Sequence, residues 1–283
     1  MNKTCVLLFS KNRPTQVSLC LDGYFNHCME TYFMDDPDIY VLYKADDKFQ
    51  NSYNKLYEEY PRVNFIKENN FKQDLLNCVS KYEYVMFLCD DNLFTGHFSI
   101  NEICELLNFH KDVLGFSLRL GENTNYCYSL NQNQSIPQWQ DSFDGKYQTI
   151  YKYNWTSAQH DFSYALDLSS SVYKVRNILF LLNKLEYRQT NDLEWMLYLN
   201  LWQFNLMVPN LLCYGISVAF CSPMNKVQTV NGNRSAKDNA YGVDNLLEVF
   251  ENGYRVDWKQ FDGFVSNSCH QEVDFLKELR YEK

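Results

Sequence analysis

Short apolar runs alternate with amphipathic stretches through the first 120 residues, in the order strand, helix, strand that a parallel sheet with crossover helices produces. Residues 4–9 form the first strand, and Pro14 opens a helix to about residue 31, because a first-turn N–H has no helical partner to lose. A strand over 39–43, a helix over about 48–60, a strand over 63–66 and a helix over 71–80 follow. Residues 84–88 are almost wholly apolar, which predicts a central strand covered on both faces. Residues 100–110 read as helix and 113–118 as another strand.

The pattern loosens in the second half. Residues 123–153 are rich in Asn, Gln, Ser and Tyr and read as loops and short strands facing a ligand. Helical periodicity returns over 170–186 and 192–203, with the polar stretch 187–191 between them. Residues 225–241, rich in Asn, Gly, Ser and Lys, are the candidate mobile loop, and a last amphipathic helix is expected from about residue 271 to the end. No internal repeat is present.

A chain of 283 residues can bury one large α/β core, with or without a smaller C-terminal lobe. It is 46% hydrophobic and 22% charged, which is globular, and no window approaches the roughly 18 apolar residues of a membrane span. The apolar run at the start is ended by Ser10, Lys11, Asn12 and Arg13, too early for a signal-peptide core, so it reads as a strand. Ten cysteines include no C-x-x-C pair, which argues against a zinc site or redox pair, and several sit in apolar runs as reduced thiols do. A cytoplasmic location is therefore expected, with the sequons at Asn133, Asn154 and Asn233 as chance matches. A net charge of -9 argues against a nucleic-acid polymer as partner. Aromatic residues make up 17% of the chain, which suits sugar binding but also follows from an Asn-, Lys- and Tyr-rich composition.

In an open parallel sheet, ligands bind beyond the carboxyl ends of the strands. The residues there form a consistent set: Ser10, Lys11 and Arg13; then Lys44, Asp46 and Asp47; then Lys67 and Glu68; then Asp90, Asp91 and Asn92. Two adjacent carboxylates leaving an apolar strand lose hydration and repel unless a cation or donor compensates. A divalent ion carrying phosphates does this well, since Mg2+ and Mn2+ prefer oxygen ligands. An ordinary turn is the competing account of this triplet. Neither G-x-x-x-x-G-K-[ST] nor G-x-G-x-x-G occurs, which removes the commonest kinase and dinucleotide readings.

The segments VLLFSKNRP (residues 6–14), IYVLYKADD (39–47), FIKENNFKQDLL (65–76), YVMFLCDDN (84–92) and NDLEW (191–195), with NKVQ (225–228) and HQE (270–272) more loosely, resemble the glycosyltransferases of the A-type fold, particularly family 2-like enzymes. The resemblance implies a Rossmann-like, mostly parallel sheet flanked by helices, with a nucleotide-sugar-binding part at 1–120 and an acceptor-binding part at 121–283 in one continuous domain. It implies a DXD-type site: Asp90 on the ribose or metal, Asp91 on a Mn2+ or Mg2+ ion that bridges a nucleotide diphosphate, and Asn92 where many members carry a third acid. Ser10, Lys11, Arg13 and Asp46 would border the base and ribose, with Lys67 nearby. Asp192 is the expected base for inverting transfer, Glu194 the second candidate. Asn191 and Glu194 also have capping-box spacing. His270 would reach the metal or a phosphate, and Lys226 and Arg234 would close over the diphosphate. Trp139, Trp155, Trp195, Tyr126 and Tyr128 are candidate stacking groups for an acceptor sugar, and His160, Asp161 and Asp167 candidate contacts to its hydroxyls. The donor is expected to be a UDP-sugar and the acceptor a glycan, glycolipid or other hydroxyl. A sugar nucleotidyltransferase and a non-catalytic carbohydrate-binding protein on the same fold are the alternatives.

Overall fold

Residues 4–29, 36–225 and 241–282 are described by a computed structural model. In strand β1 (Thr4–Lys11) the alternation of side chains sends Cys5, Leu7 and Phe9 to one face and Val6 and Leu8 to the other. Both sets are apolar, so the strand is buried on both sides, as a central parallel strand must be. Helix α1 (Pro14–His27), strand β2 (Asp38–Lys44), helix α2 (Asp47–Glu59), strand β3 (Val63–Lys67), helix α3 (Phe71–Val79) and strand β4 (Tyr84–Cys89) complete the expected alternation. Asn70 and Ser99 start their helices as side-chain caps, the first for α3 and the second for helix α4 (Ile100–Phe109). Between them lies the short strand β5 (Asn92–Phe94), and strand β6 (Val113–Ser117) follows α4.

The polar middle of the chain folds into strands β7 (Tyr126–Cys127), β8 (Gln132–Asn133), β9 (Trp139–Asp144) and β10 (Thr149–Asn154). Residues 170–186, expected to be helical throughout, divide into strand β11 (Ser171–Lys174) and helix α5 (Val175–Lys184). The strand wins because Val172 and Tyr173 fill a gap between β4 and β6, where they pair antiparallel with both. Gly115 makes room for it: a Cβ there would meet the Tyr173 ring at 2.5 Å. Helix α6 (Thr190–Leu199), strands β12 (Asn210–Tyr214) and β13 (Ala219–Cys221), helix α7 (Val243–Glu251) and strands β14 (Tyr254–Val256) and β15 (Leu279–Tyr281) finish the chain. The expected C-terminal helix is absent from residues 271–282. Phe275 is buried there, and Gln260 Nε2 donates to the carbonyls of Phe275 and Glu278, holding the segment as turns.

Nine strands form the main sheet in the order β3-β2-β1-β4-β11-β6-β12-β10-β9. Only β10 and β11 run against the rest, so the sheet is mostly parallel, as expected. Helices α1, α2 and α4 pack on one face, and α3, α5 and α6 on the other. A third apolar cluster, including Leu93, Phe220, Leu246, Phe261 and Phe275, joins β5 and β13 to the C-terminal segment. None of the described helices is long and apolar enough to cross a membrane.

Candidate active site

Because β1 lies between β2 and β4, the connections leaving the sheet diverge between β1 and β4. Such a switch point opens a crevice at the carboxyl ends of the strands. Here it is a cleft of about 1040 Å³. Phe9, Leu42 and Phe71 give one wall an apolar surface, with Lys11, Lys44 and Glu68 beside it. Asn12, in the left-handed region at φ 55°, ties the ends of β1 and β2 together. Its side chain donates to Asp46 Oδ2 at 2.7 Å and accepts from Asp46 N at 2.9 Å.

Asp90 follows β4 and is 4% exposed. One carboxylate oxygen accepts from Ser10 Oγ at 2.8 Å and Lys11 N at 3.3 Å, and the other from Arg13 Nη1 at 2.8 Å. A carboxylate buried this far needs such partners to offset its lost hydration. Arg13 is itself anchored, through Nη2 to the Asn225 carbonyl at 2.7 Å. Burial works against its charge, but Asp90 and Asp91 outweigh that and raise its pKa.

Asp91 is placed differently. Its backbone carbonyl accepts from Ser222 N at 2.9 Å, while its side chain lines the cleft and receives no side-chain hydrogen bond among the described residues. Burial pushes its pKa up to about 6, with Asp90 adding to the rise and Arg13 opposing it. Asn92 does not face the cleft. Fully buried, it accepts from Cys89 N at 2.7 Å and donates to Cys221 Sγ at 3.0 Å, so both ends of its amide serve the turn. This corrects the expectation of a metal ligand there.

β5 pairs with β13 so that Asn92 stands opposite Cys221, and Cys221 bridges to His270 on its other side. His270 is thereby carried to the same cleft as the acid pair. Its buried Nδ1 has no hydrogen-bond partner among the described residues, and burial, with Arg119 nearby, lowers its pKa to about 3. It is a neutral imidazole with a free nitrogen. No group of three or more His, Cys, Asp or Glu among the described residues is arranged to hold a metal ion by itself.

The opposite wall carries Arg119, 5% exposed, whose Nη2 lies 3.3 Å from Asp167 Oδ2 and whose Nη1 donates to Cys221 Sγ at 3.2 Å. Asp167 also accepts from Ser169 N at 2.9 Å and Ser171 Oγ at 3.0 Å. Asp161 lines the same wall, held by Gln134 Nε2 at 3.2 Å. Glu194, on α6, accepts from Leu168 N at 3.3 Å. Burial, then Asp167, push its pKa up to about 7 against the pull of Arg119.

Of the residues singled out from sequence, Ser10, Lys11, Arg13, Asp90, Asp91, Glu194 and His270 thus share one cleft. Asp192 does not line it. Its carboxylate accepts from Gln189 Nε2 at 3.0 Å and Arg188 N at 3.4 Å, where an acid favours a helix start, whereas Glu194 lines the cleft. Asp46 is turned to Asn12, and Lys67 is exposed at the end of β3 outside the cleft. Lys226 and Arg234, with most of the candidate mobile loop, lie outside the described residues. Trp195, Tyr128 and His160 line the cleft; Tyr126, Trp139 and Trp155 do not, Trp139 stacking on Tyr151 and Trp155 donating to the Val208 carbonyl at 2.9 Å. Arg119 was missed. It stands two residues beyond β6, so the strand-end rule that found the acids, carried one strand further, reaches it.

Bifunctional glycosyltransferase pgtA of Dictyostelium discoideum is 34% identical over 191 residues, 63% of this chain. The chain is homologous to part of a glycosyltransferase. It spans only 25% of that transferase's length. No protein-family model matches the chain. Among solved structures, S. aureus TarS 1-349 in complex with UDP aligns with TM-score 0.48 and 12% identity, over 92% of this chain and 68% of that one. The same protein in complex with UDP-GlcNAc aligns with TM-score 0.47 and 12% identity, over 92% and 69%.

Proposed function

We propose that the chain transfers a sugar from a nucleotide-diphosphate sugar, a UDP-sugar, to an acceptor hydroxyl with inversion, and that Glu194 is the base. The observation that carries this reading is a carboxylate poised near neutrality in the same cleft as the Asp90–Asp91 pair. A base must be unprotonated yet still basic at working pH, and about 7 meets both needs. The apolar wall formed by Phe9, Leu42 and Phe71 suits a nucleobase, and Asp90, held rigid by Ser10 and Arg13, suits a ribose hydroxyl.

Asp91 and His270 fit a divalent cation: a cleft-facing carboxylate without a side-chain donor, and a neutral imidazole with an unpartnered nitrogen. An oxygen and an imidazole nitrogen are ligands that Mn2+ would accept. Held by Asp91 and His270, such a cation would supply positive charge for the diphosphate leaving group. Glu194 takes the acceptor proton as the acceptor oxygen attacks the anomeric carbon, and the bond from that carbon to the diphosphate breaks. Arg119 pairs with Asp167, whereas Glu194 has no cationic partner at bonding distance among the described residues.

The test is product identity. Incubation with nucleotide sugars, Mn2+ and a mixed pool of hydroxyl acceptors is expected to release nucleoside diphosphate. Release of pyrophosphate from a nucleoside triphosphate with a sugar phosphate identifies a nucleotidyltransferase instead. Glycan binding with neither release identifies a non-catalytic carbohydrate-binding protein.

A further inference from the structure

Beyond Glu194 the cleft continues along α6. Trp195 and Tyr198 lie on its cleft side, and Tyr198 stacks on Trp195 at 5.6 Å and on Tyr164 at 5.2 Å, with interplanar angles of 27° and 24°. Ser163 and Tyr198 also line a second hollow of about 420 Å³, completed by Trp155, Thr156, Leu199, Trp202 and Asn205. The two hollows therefore meet along one aromatic ribbon. Trp195 is 55% exposed and Trp202 69%. Two tryptophans left largely in water, one on α6 and one in the short helical turn Leu201–Phe204 after it, contribute little to packing.

We infer that this ribbon, from Trp195 through Tyr198 and Tyr164 to Trp202, binds the acceptor as an oligosaccharide, with the reacting hydroxyl at Glu194 and the preceding sugars laid outward along the rings. The inference rests on the transferase reading and extends it from a hydroxyl acceptor to a glycan chain. Sugar rings present apolar C–H faces, which pack on aromatic faces, and hydroxyl edges, which need polar partners. The second hollow supplies both, its Thr156, Ser163 and Asn205 interleaving with the rings. Trp195 lines the first hollow, Trp202 the second and Tyr198 both, so the ribbon runs past a site for one sugar ring. A membrane face fits less well. Leu206 and Met207 are exposed nearby, but interfacial segments carry lysines and arginines, and no charged residue lines the second hollow.

The test uses the full chain, Trp202→Ala and Tyr198→Ala on an array of immobilised glucose, galactose, mannose, xylose and N-acetylglucosamine glycans from one to six units, with calorimetric titration of UDP and Mn2+ in parallel. The parent is expected to bind at least one hexasaccharide about tenfold more tightly than its monosaccharide, and each variant to lose most of that gain while binding UDP as the parent does. Tight UDP binding with no preference for longer glycans, or a preference that Trp202→Ala leaves intact, overturns the inference and spares the transferase reading. Binding to phosphatidylglycerol vesicles that Trp202→Ala abolishes, without glycan binding, overturns it in favour of a membrane face. Failure to bind UDP removes the transferase reading and this inference with it.

Discussion

Replacing Glu194 by Gln removes a proton acceptor while keeping the size of the side chain and an oxygen for Leu168 N. If Glu194 is the base, kcat should fall by about 10²–10⁴, the range for general-base catalysis. The pH profile carries the same information in the parent. With a pKa of about 7, kcat/KM should lose roughly tenfold for each unit below that value and level off above it. Stability should move the other way. A carboxylate whose folded pKa is raised binds its proton more tightly in the folded state, so its ionisation costs stability progressively from the ordinary carboxylate range up to about 7, and fully above that. Gln cannot ionise, and at pH 8 the variant should be more stable by on the order of 1–3 kcal/mol, a few degrees in Tm. Steady-state kinetics over about two pH units on either side of that pKa and denaturant unfolding at about pH 8 read both. A Glu194→Gln enzyme that keeps turnover within a few-fold of the parent, or that is less stable at pH 8, refutes the assignment.

Asp192→Asn tests the displaced candidate: turnover should stay close to the parent value, and stability should fall by no more than about 1 kcal/mol, the usual worth of an acid at a helix start, by thermal melting. Asn92→Ala leaves the Cys89 N–H without its acceptor in a fully buried turn and should cost about 1–3 kcal/mol in urea unfolding. Gly115→Ala drives a Cβ into the Tyr173 ring and should destabilise by about 1–3 kcal/mol, with a lowered Tm as the readout.

How much of this was legible beforehand differs between the halves of the chain. The central strands β1 and β4 are buried on both faces, so each shows as an unbroken apolar run, and the polar residues that end them mark the cleft. β11 gave no such signal. Its four residues run straight into α5 with no turn or breaker between, and only the gap between β4 and β6 makes them extended. The C-terminal segment has helical periodicity, yet long-range bonds from Gln260 hold it in turns, and a local pattern cannot report those. In the site, the choice between Asp192 and Glu194 turned on which face of α6 meets the cleft. Spacing shows that the two point apart, but not which one points inward. Arg119 stands directly after the strand read over residues 113–118, and the strand-end rule was simply not carried that far.

The central claim is that the Asp90–Asp91 turn builds a metal-assisted nucleotide-diphosphate site, and calorimetric titration of UDP with and without Mn2+, on the parent chain and Asp91→Ala, tests it most directly. The account predicts UDP binding that Mn2+ strengthens in the parent and a loss of that strengthening in Asp91→Ala, with the fold intact by circular dichroism. UDP binding of equal strength in both proteins, or indifferent to Mn2+, contradicts it.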